Sequence, residues 1–481
     1  MKQTSYLLMI MAAVEAGKIL VYSPSVSYSH LIMNGRIADT LVKAGHDVVM
    51  FIPEYVKATS KFDETLAKIV RMNNIKLMAR RQELEYLKDY GFDAAFTEQI
   101  DFCGVGVIRY LGIQNLLWIS STPLMETVSY NLGVPSPTSY VPVVEESDNG
   151  DTMSFWRRAL NMYMYIGTIY IHRRGTDLTT EVFRKIDPDF PHVREIAANA
   201  SLCFVNADEM FDLPRPIIHK LIYIGGLHIS NPKPLDEKFN TVMNKGKKGV
   251  VIVSLGTVVP FHVLPEGVKL GFANVVRSMP DYHFILKVSK GDTSTSSFFE
   301  NGSNCDFIEW LPQSDILAHP RLKLFVTHGG INGLTEALLR GVPLVVIPMF
   351  GDQFRNGRNV EKRGVGKVLP KWALSEDAIR AAIQEVLNND SYKQNALRMS
   401  KLMQTKPFSA EERLVQWTNF ALKNGALDVL HVEGSRMNSI AYFNIDVIAF
   451  ILLIMCLIST AVAKLLLAIR RRYLIEKVKK N

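Results

Sequence analysis

Residues 310–353 hold side chains and glycines whose order suits a nucleotide that carries a sugar. An apolar run, 322–326, has the length of a buried strand. Thr327-His328-Gly329-Gly330 follows it, and then a helical pattern over 331–340. Strand, glycine turn and helix together present free backbone N–H groups to a phosphate. Paired glycines let the main chain approach such a ligand closely. His328 can donate a further hydrogen bond to a phosphate oxygen. Glu336 follows the glycines by about two helical turns, where a carboxylate can accept from ribose hydroxyls. Trp310 offers a flat face for a base to stack on. A second apolar strand, 344–348, leads to Asp352-Gln353, which offers acceptors and donors for sugar hydroxyls.

These groups need a scaffold, and the chain supplies two series of strand and helix patterns. The first has strands at 18–24 and 48–52 with a helix at 32–43 between them, then strands at 92–96 and 115–119. The second starts with a strand at 249–256 and a helix at 268–277. Strands at 283–288, 305–310, 322–326 and 344–347 follow. Two such series predict an α/β protein of two facing Rossmann-like domains. The polar stretch 230–238 is the expected linker. Ligands of such sheets bind beyond the carboxyl ends of the strands, here in the cleft between the domains. A length of 481 residues accommodates this arrangement.

The ordered set Trp310, Gln313, His328, Gly330, Asn332, Glu336, Asp352 and Gln353 resembles the signature of the UDP-glycosyltransferase family. Within that family it is similar to the membrane-bound animal branch, the UDP-glucuronosyltransferases. The resemblance implies the GT-B type architecture, with an acceptor domain at 17–229 and a UDP-sugar domain at 230–440. It implies inverting transfer of glucuronic acid or glucose from a UDP-sugar to the hydroxyl of a small lipophilic acceptor. It implies no metal and no cofactor beyond the UDP-sugar co-substrate. His30, after the first strand, falls where the family places the base that deprotonates the acceptor. Glu98 stands where the family carries an aspartate that orients this base, and Asp101 is a second candidate partner. Ser254 and Thr257 resemble the family's second phosphate-side turn. The acceptor half is short for the family, since Ile52 and Phe92 are only 40 positions apart. That departure keeps a second reading open: a UDP-sugar-binding pseudoenzyme, or a regulatory partner of active homologues.

Both ends of the chain bear on its location. Residues 1–16 read as a secretory signal, with Lys2, a short apolar core and a small-residue cleavage site. Residues 445–469 are almost wholly apolar, about the length that crosses a bilayer. Arg470-Arg471-Arg472 follows at once, which predicts a cytosolic tail and a luminal body, a single-pass type I protein. Lys477 and Lys479 resemble a dilysine signal for retrieval to the endoplasmic reticulum. Net charge is +8, and the last dozen residues hold six basic groups against Glu476, so the charge is no argument for nucleic-acid binding. The implied partners are UDP-glucuronic acid or UDP-glucose, the acceptor, the membrane and further copies or homologues of the chain. Asn199, Asn301 and Asn389 begin glycosylation sequons. Cys103, Cys203 and Cys305 lie outside the apolar run and Cys456 inside it, which is no disulfide framework. Residues 154–174 combine aromatic and basic side chains, and read either as a helix on a membrane surface or as a domain-packing helix. Gly104-Val-Gly106 lacks the third glycine of a dinucleotide fingerprint. Asp187-Pro-Asp189 resembles a metal-binding pair but lies far from the donor motif.

Overall fold

The computed structural model describes residues 16–55, 62, 65–73, 77–227, 229, 231–256, 259–299 and 304–480. The expected signal segment, Thr257 and the Asn301 sequon lie outside the described residues or at their edge. The chain forms two compact units, Met1–His431 and Val432–Asn481.

The first unit contains two parallel sheets. Seven strands make the first: β1 (Lys18–Tyr22), β2 (Asp47–Glu54), β3 (Lys68–Asn73), β4 (Ala94–Glu98), β5 (Leu116–Ser120), β6 (Leu202–Val205) and β7 (Leu221–Tyr223). Their spatial order is β3-β2-β1-β4-β5-β6-β7. The second sheet has β8 (Gly249–Ser254), β9 (Tyr282–Lys287), β10 (Cys305–Ile308), β11 (Leu322–Thr327), β12 (Leu344–Val346) and β13 (Gly366–Val368). Its order is β10-β9-β8-β11-β12-β13. Strands covered on both faces need apolar residues throughout rather than in alternation. β4, β5 and β8 accordingly consist wholly of buried residues.

The order reverses between β1 and β4 in the first sheet and between β8 and β11 in the second. At such a switch point the loops leave on opposite sides and open a crevice. β1 and β4 are in register with Tyr22 opposite Thr97, and β11 and β8 with Thr327 opposite Ser254. His30, Glu98, Ser254 and His328 therefore all belong to the carboxyl ends of the strands that flank the two reversals.

Several elements depart from the expected list. Between β2 and β4 the described residues form the edge strand β3, a 3-10 segment Leu77–Leu84 and a short helix Glu85–Lys88. After the second sheet the helix Ala410–Asn424 returns to the first, where Ala410, Leu414 and Ala421 share a core with Ile19, Leu41 and Ile222. Ser409 starts that helix with a capping box, its hydroxyl accepting from Glu412 N while the Glu412 carboxylate accepts from Ser409 N. Cys103, Cys203, Cys305 and Cys456 are free thiols.

The second unit is dominated by a helix, Ile445–Lys480. The most apolar 18 residues within its stretch Ile445–Ile475 have a mean hydropathy of 2.7, and none of them is buried. Thirty-one residues at about 1.5 Å each exceed the roughly 30 Å of a bilayer core. It is a candidate membrane span.

Candidate active site

His30 stands in the first turn of the helix Tyr28–Lys43, just beyond β1. Glu98 is the last residue of β4, beside β1, and its side chain is fully buried. The two meet: His30 Nδ1 lies 2.8 Å from Glu98 Oε1 and 3.0 Å from Oε2. A carboxylate there accepts a hydrogen bond from Nδ1–H and leaves Nε2 as the basic nitrogen. Ser121 Oγ, just past β5, lies 3.1 Å from the same Nδ1. Asn34, one helical turn after His30, donates to Glu98 Oε2 at 3.2 Å and to Ser23 Oγ at 2.8 Å. Burial alone would lower the His30 pKa. The charge and hydrogen bond of Glu98, aided by the charges of Asp352 and Glu145, outweigh it and raise the pKa above its ordinary value.

Asp101, the other candidate partner, is occupied elsewhere. It caps the helix Phe102–Tyr110 by accepting from Cys103 N at 2.9 Å. Its other oxygen accepts from Tyr22 at 3.0 Å and from Tyr55 at 2.7 Å.

Across the cleft, β11 runs into His328-Gly329-Gly330 and the helix Ile331–Leu339. Gly329 has φ +91°, and a Cβ there would sit 2.7 Å from Val346 Cγ1, so both conformation and space require glycine. A Cβ on Gly330 would meet His328 Nε2 at 2.7 Å, and one on Gly256 the same ring at 2.8 Å. The imidazole is thus seated between two glycines. Burial and the charge of Lys287 lower its pKa to about 4, which favours the neutral ring. Gly330 caps the helix Ile331–Leu339 without a side-chain bond. The free N–H groups of such a first turn suit a diphosphate.

Gln313 Nε2 donates to Glu336 Oε2 at 2.7 Å, which fixes the carboxylate proposed for ribose. Trp310 is 70 % exposed, so its ring is open to a base. Asp352 starts the helix Gln353–Lys362 and accepts from Asn356 Nδ2 at 2.7 Å. Burial, with the nearby Glu145 charge, raises the Asp352 pKa to about 6 against the Asn356 bond. Gln353 Oε1 accepts from Met349 N at 2.9 Å and Phe350 N at 3.2 Å, which locks the loop that presents Asp352. The cleft has a volume of about 400 Å³. His30 and Ser121 line it from the first sheet, and Ser254, His328, Asn332 and Asp352 from the second.

The structure adds groups not singled out in the sequence. Arg36 reaches from the His30 helix to Glu336 Oε1 at 3.4 Å. Asn206, after β6, donates to Asn332 Oδ1 and to the Ser121 carbonyl, each at 2.9 Å. Lys287, at the end of β9, lines the cleft on the His328 side. Glu146 and Gly351 exchange two bonds, Gly351 N donating to Glu146 Oε1 at 2.6 Å and Glu146 N to the Gly351 carbonyl at 3.1 Å. Asn34 has a sequence signal, since four residues after His30 is the same helix face. The others depend on contacts between distant segments.

The sequence model of the family described as UDP-glucoronosyl and UDP-glucosyl transferase matches residues 54–481. The Caenorhabditis elegans protein ugt-50 is 37% identical over an alignment covering 93% of this chain and 92% of that one. UDP-glucuronosyltransferase 1A7 of Mus musculus is 28% identical, with 95% and 92% covered. Among solved structures, the glycotransferase of kitacinnamycin superposes with a TM-score of 0.61 at 17% identity, covering 85% of this chain and 99% of its own. The spinosyn forosaminyltransferase SpnP gives 0.60 at 16% identity, with 85% and 100% covered. At such identities the structural likeness speaks for the fold.

Proposed function

We propose, because the chain belongs to the family of UDP-glucoronosyl and UDP-glucosyl transferases, that it transfers glucuronic acid or glucose from a UDP-sugar to the hydroxyl of a small lipophilic acceptor. The observation that carries this reading is the His30–Glu98 pair at 2.8 Å, facing a cleft whose other wall is the glycine turn and Asp352. The acceptor oxygen attacks C1 of the sugar, and the bond from C1 to the phosphate oxygen breaks. The acceptor proton passes to His30 Nε2, and Glu98 stabilises the imidazolium formed. UDP leaves toward the first-turn N–H groups of the helix Ile331–Leu339 and the His328 ring. The chemistry uses no cofactor beyond the donor. Attack opposite the leaving group inverts the anomeric carbon. The pairing of His30 with Glu98 and Asn34 argues against a pseudoenzyme, which has no need of an oriented base. Incubation with labelled UDP-glucuronic acid and UDP-glucose against a panel of phenols and alcohols tests the reading. A labelled glycoside is expected, and label found only as free sugar with every acceptor would oppose it.

The donor roles separate by ligand. Glu336→Ala is expected to weaken UDP by about 1–3 kcal/mol, the scale of a lost charged hydrogen-bond partner. Calorimetry showing unchanged UDP affinity would remove Glu336 from the ribose site. Asp352→Ala should spare UDP and impair the intact UDP-sugar, and equal losses for both would exclude a sugar contact.

For location, we place the chain in the endoplasmic reticulum membrane as a type I protein with a luminal body. The apolar run 445–469, within the candidate span, and the arginines 470–472 that follow it support this orientation. A tag after Asn481 should be cleaved by protease added to intact microsomes while the body is protected. A protected tag would reverse the orientation.

A further inference from the structure

We propose a second ligand site, outside the cleft, that takes a small aromatic carboxylate. It is a cavity of about 380 Å³ at the β7 edge of the first sheet. It shares no lining residue with the cleft. One wall is the loop that joins β6 to β7. Pro214 and Pro216 bracket Arg215 in that loop, and both lack the N–H that a sheet ladder needs, so the stretch stands off the sheet. The other wall is the helix Ala410–Asn424, on which Arg413, Gln416 and Trp417 share one face. Phe408, just before that helix, and Ile217 are 52% and 56% exposed and form the rim. A space of this size, walled by aromatic and aliphatic groups with a few polar ones, is the usual form of a small-molecule site.

The charges in and behind the walls select an anion. Glu209 is paired with Arg413 at 2.7 Å and with Lys406 at 3.1 Å, and Asp212 with Arg355 at 2.7 Å. The carboxylates that line the cavity therefore already have cations. Arg215 has no such partner among the described residues. Its guanidinium donates only to neutral oxygens, Nη1 to the Leu124 carbonyl at 2.8 Å and Nη2 to Ser129 Oγ at 2.9 Å and Ser136 Oγ at 2.8 Å. Its Nε has no partner. Glu126, a further carboxylate close to Arg215, instead accepts from Val144 N at 2.5 Å, and burial raises its pKa. Burial and the charge of Arg355 lower the Arg215 pKa, as expected of a cation whose charge is not balanced. An anion in the cavity would balance it. Tyr223 lines the same cavity, and its hydroxyl bonds to no described residue, so it can donate to a carboxylate. Trp417 and Phe408 offer flat faces to a ring. A nucleotide or sugar phosphate would bring more charge than one unbalanced cation and no apolar face for these rings.

Calorimetry of the full chain in detergent tests this with 2-naphthoate and with its cationic counterpart, 2-naphthylmethylamine. The acid is expected to bind and the amine not. Ile217→Trp fills the cavity from its exposed rim without removing an internal bond, and should weaken the acid by at least about tenfold. Tyr223→Phe removes one charge-assisted bond and should also weaken it by about tenfold. Denaturant unfolding should be unchanged in both variants, which separates a lost site from a damaged fold. Failure of the acid to bind, or equal binding of acid and amine, would overturn the proposal. Acid binding that either variant leaves intact would overturn it too, by placing the ligand elsewhere.

Discussion

Replacing His30 with alanine is expected to cut sugar transfer by about 10²–10⁴-fold, the usual contribution of a general base. UDP affinity should hardly change, because His30 lines the cleft from the first sheet and the groups proposed for the nucleotide line it from the second. The split between rate and donor binding separates a lost base from a damaged fold. Full transfer by His30→Ala would contradict the assignment, and so would a loss of UDP affinity in step with the rate.

The pH dependence follows from the same pair. The proposed base, His30, can take a proton only when neutral, and Glu98 raises its pKa above the ordinary histidine value. Transfer should therefore fall as pH drops through a range above that ordinary value of about 6.5. In Glu98→Gln the anion is gone while burial, which lowers the pKa, remains. The acid limb of the rate profile should then move to lower pH. The rate loss should be smaller than for His30→Ala, because an amide still accepts the Nδ1 proton. A limb that does not move would show that Glu98 does not set the charge of the ring.

The second large effect is on stability. Arg355 Nη1 donates to Asp212 Oδ1 at 2.7 Å, and the side chains are only 1% and 4% exposed. Asn359 Nδ2 and Leu213 N donate to the same oxygen. Removing one member of a buried pair strands the other charge and costs about 3–5 kcal/mol. Asp212→Ala should lose stability on that scale in denaturant unfolding, whereas a surface ion pair is worth no more than about 1 kcal/mol. The pair also has a task at the site. Arg355 lies on the helix Gln353–Lys362, which begins at Asp352. Arg358 and Lys362 of that helix pair with Asp148 and Asp151. These three contacts fasten the Asp352 helix to residues attached to the first sheet. A change in unfolding free energy below about 1 kcal/mol would mean the pair behaves as an exposed one.

Much of the fold was legible because parallel strands buried on both faces appear as apolar runs. The runs at 18–24, 48–52 and 322–326 need no partner to be recognised. β7, β12 and β13 have three residues each, too few for any period to show, and only the run at 344–347 was long enough to betray β12. The return of the helix Ala410–Asn424 to the first sheet was invisible for another reason, since its apolar face does not say which sheet it covers. The groups proposed for the donor were gathered from the sequence because one segment, 310–353, carries nearly all of them. His30 and Glu98 are 68 positions apart, and no local spacing relates them, so only the family resemblance paired them. Arg36 and Glu336 are 300 apart, and their contact exists only once two sheets face each other. Glu145 acts on His30 and Asp352 from a loop whose path no periodicity fixes.

The most direct test of the central claim is the anomeric configuration of the product, read by proton NMR as the purified full chain consumes an α-linked UDP-sugar with a phenol. Displacement by a deprotonated acceptor at the face opposite UDP predicts a β-linked glycoside that is formed by the wild type and nearly lost in His30→Ala. An α-linked product, or a β-linked product formed as fast by His30→Ala, would contradict the account.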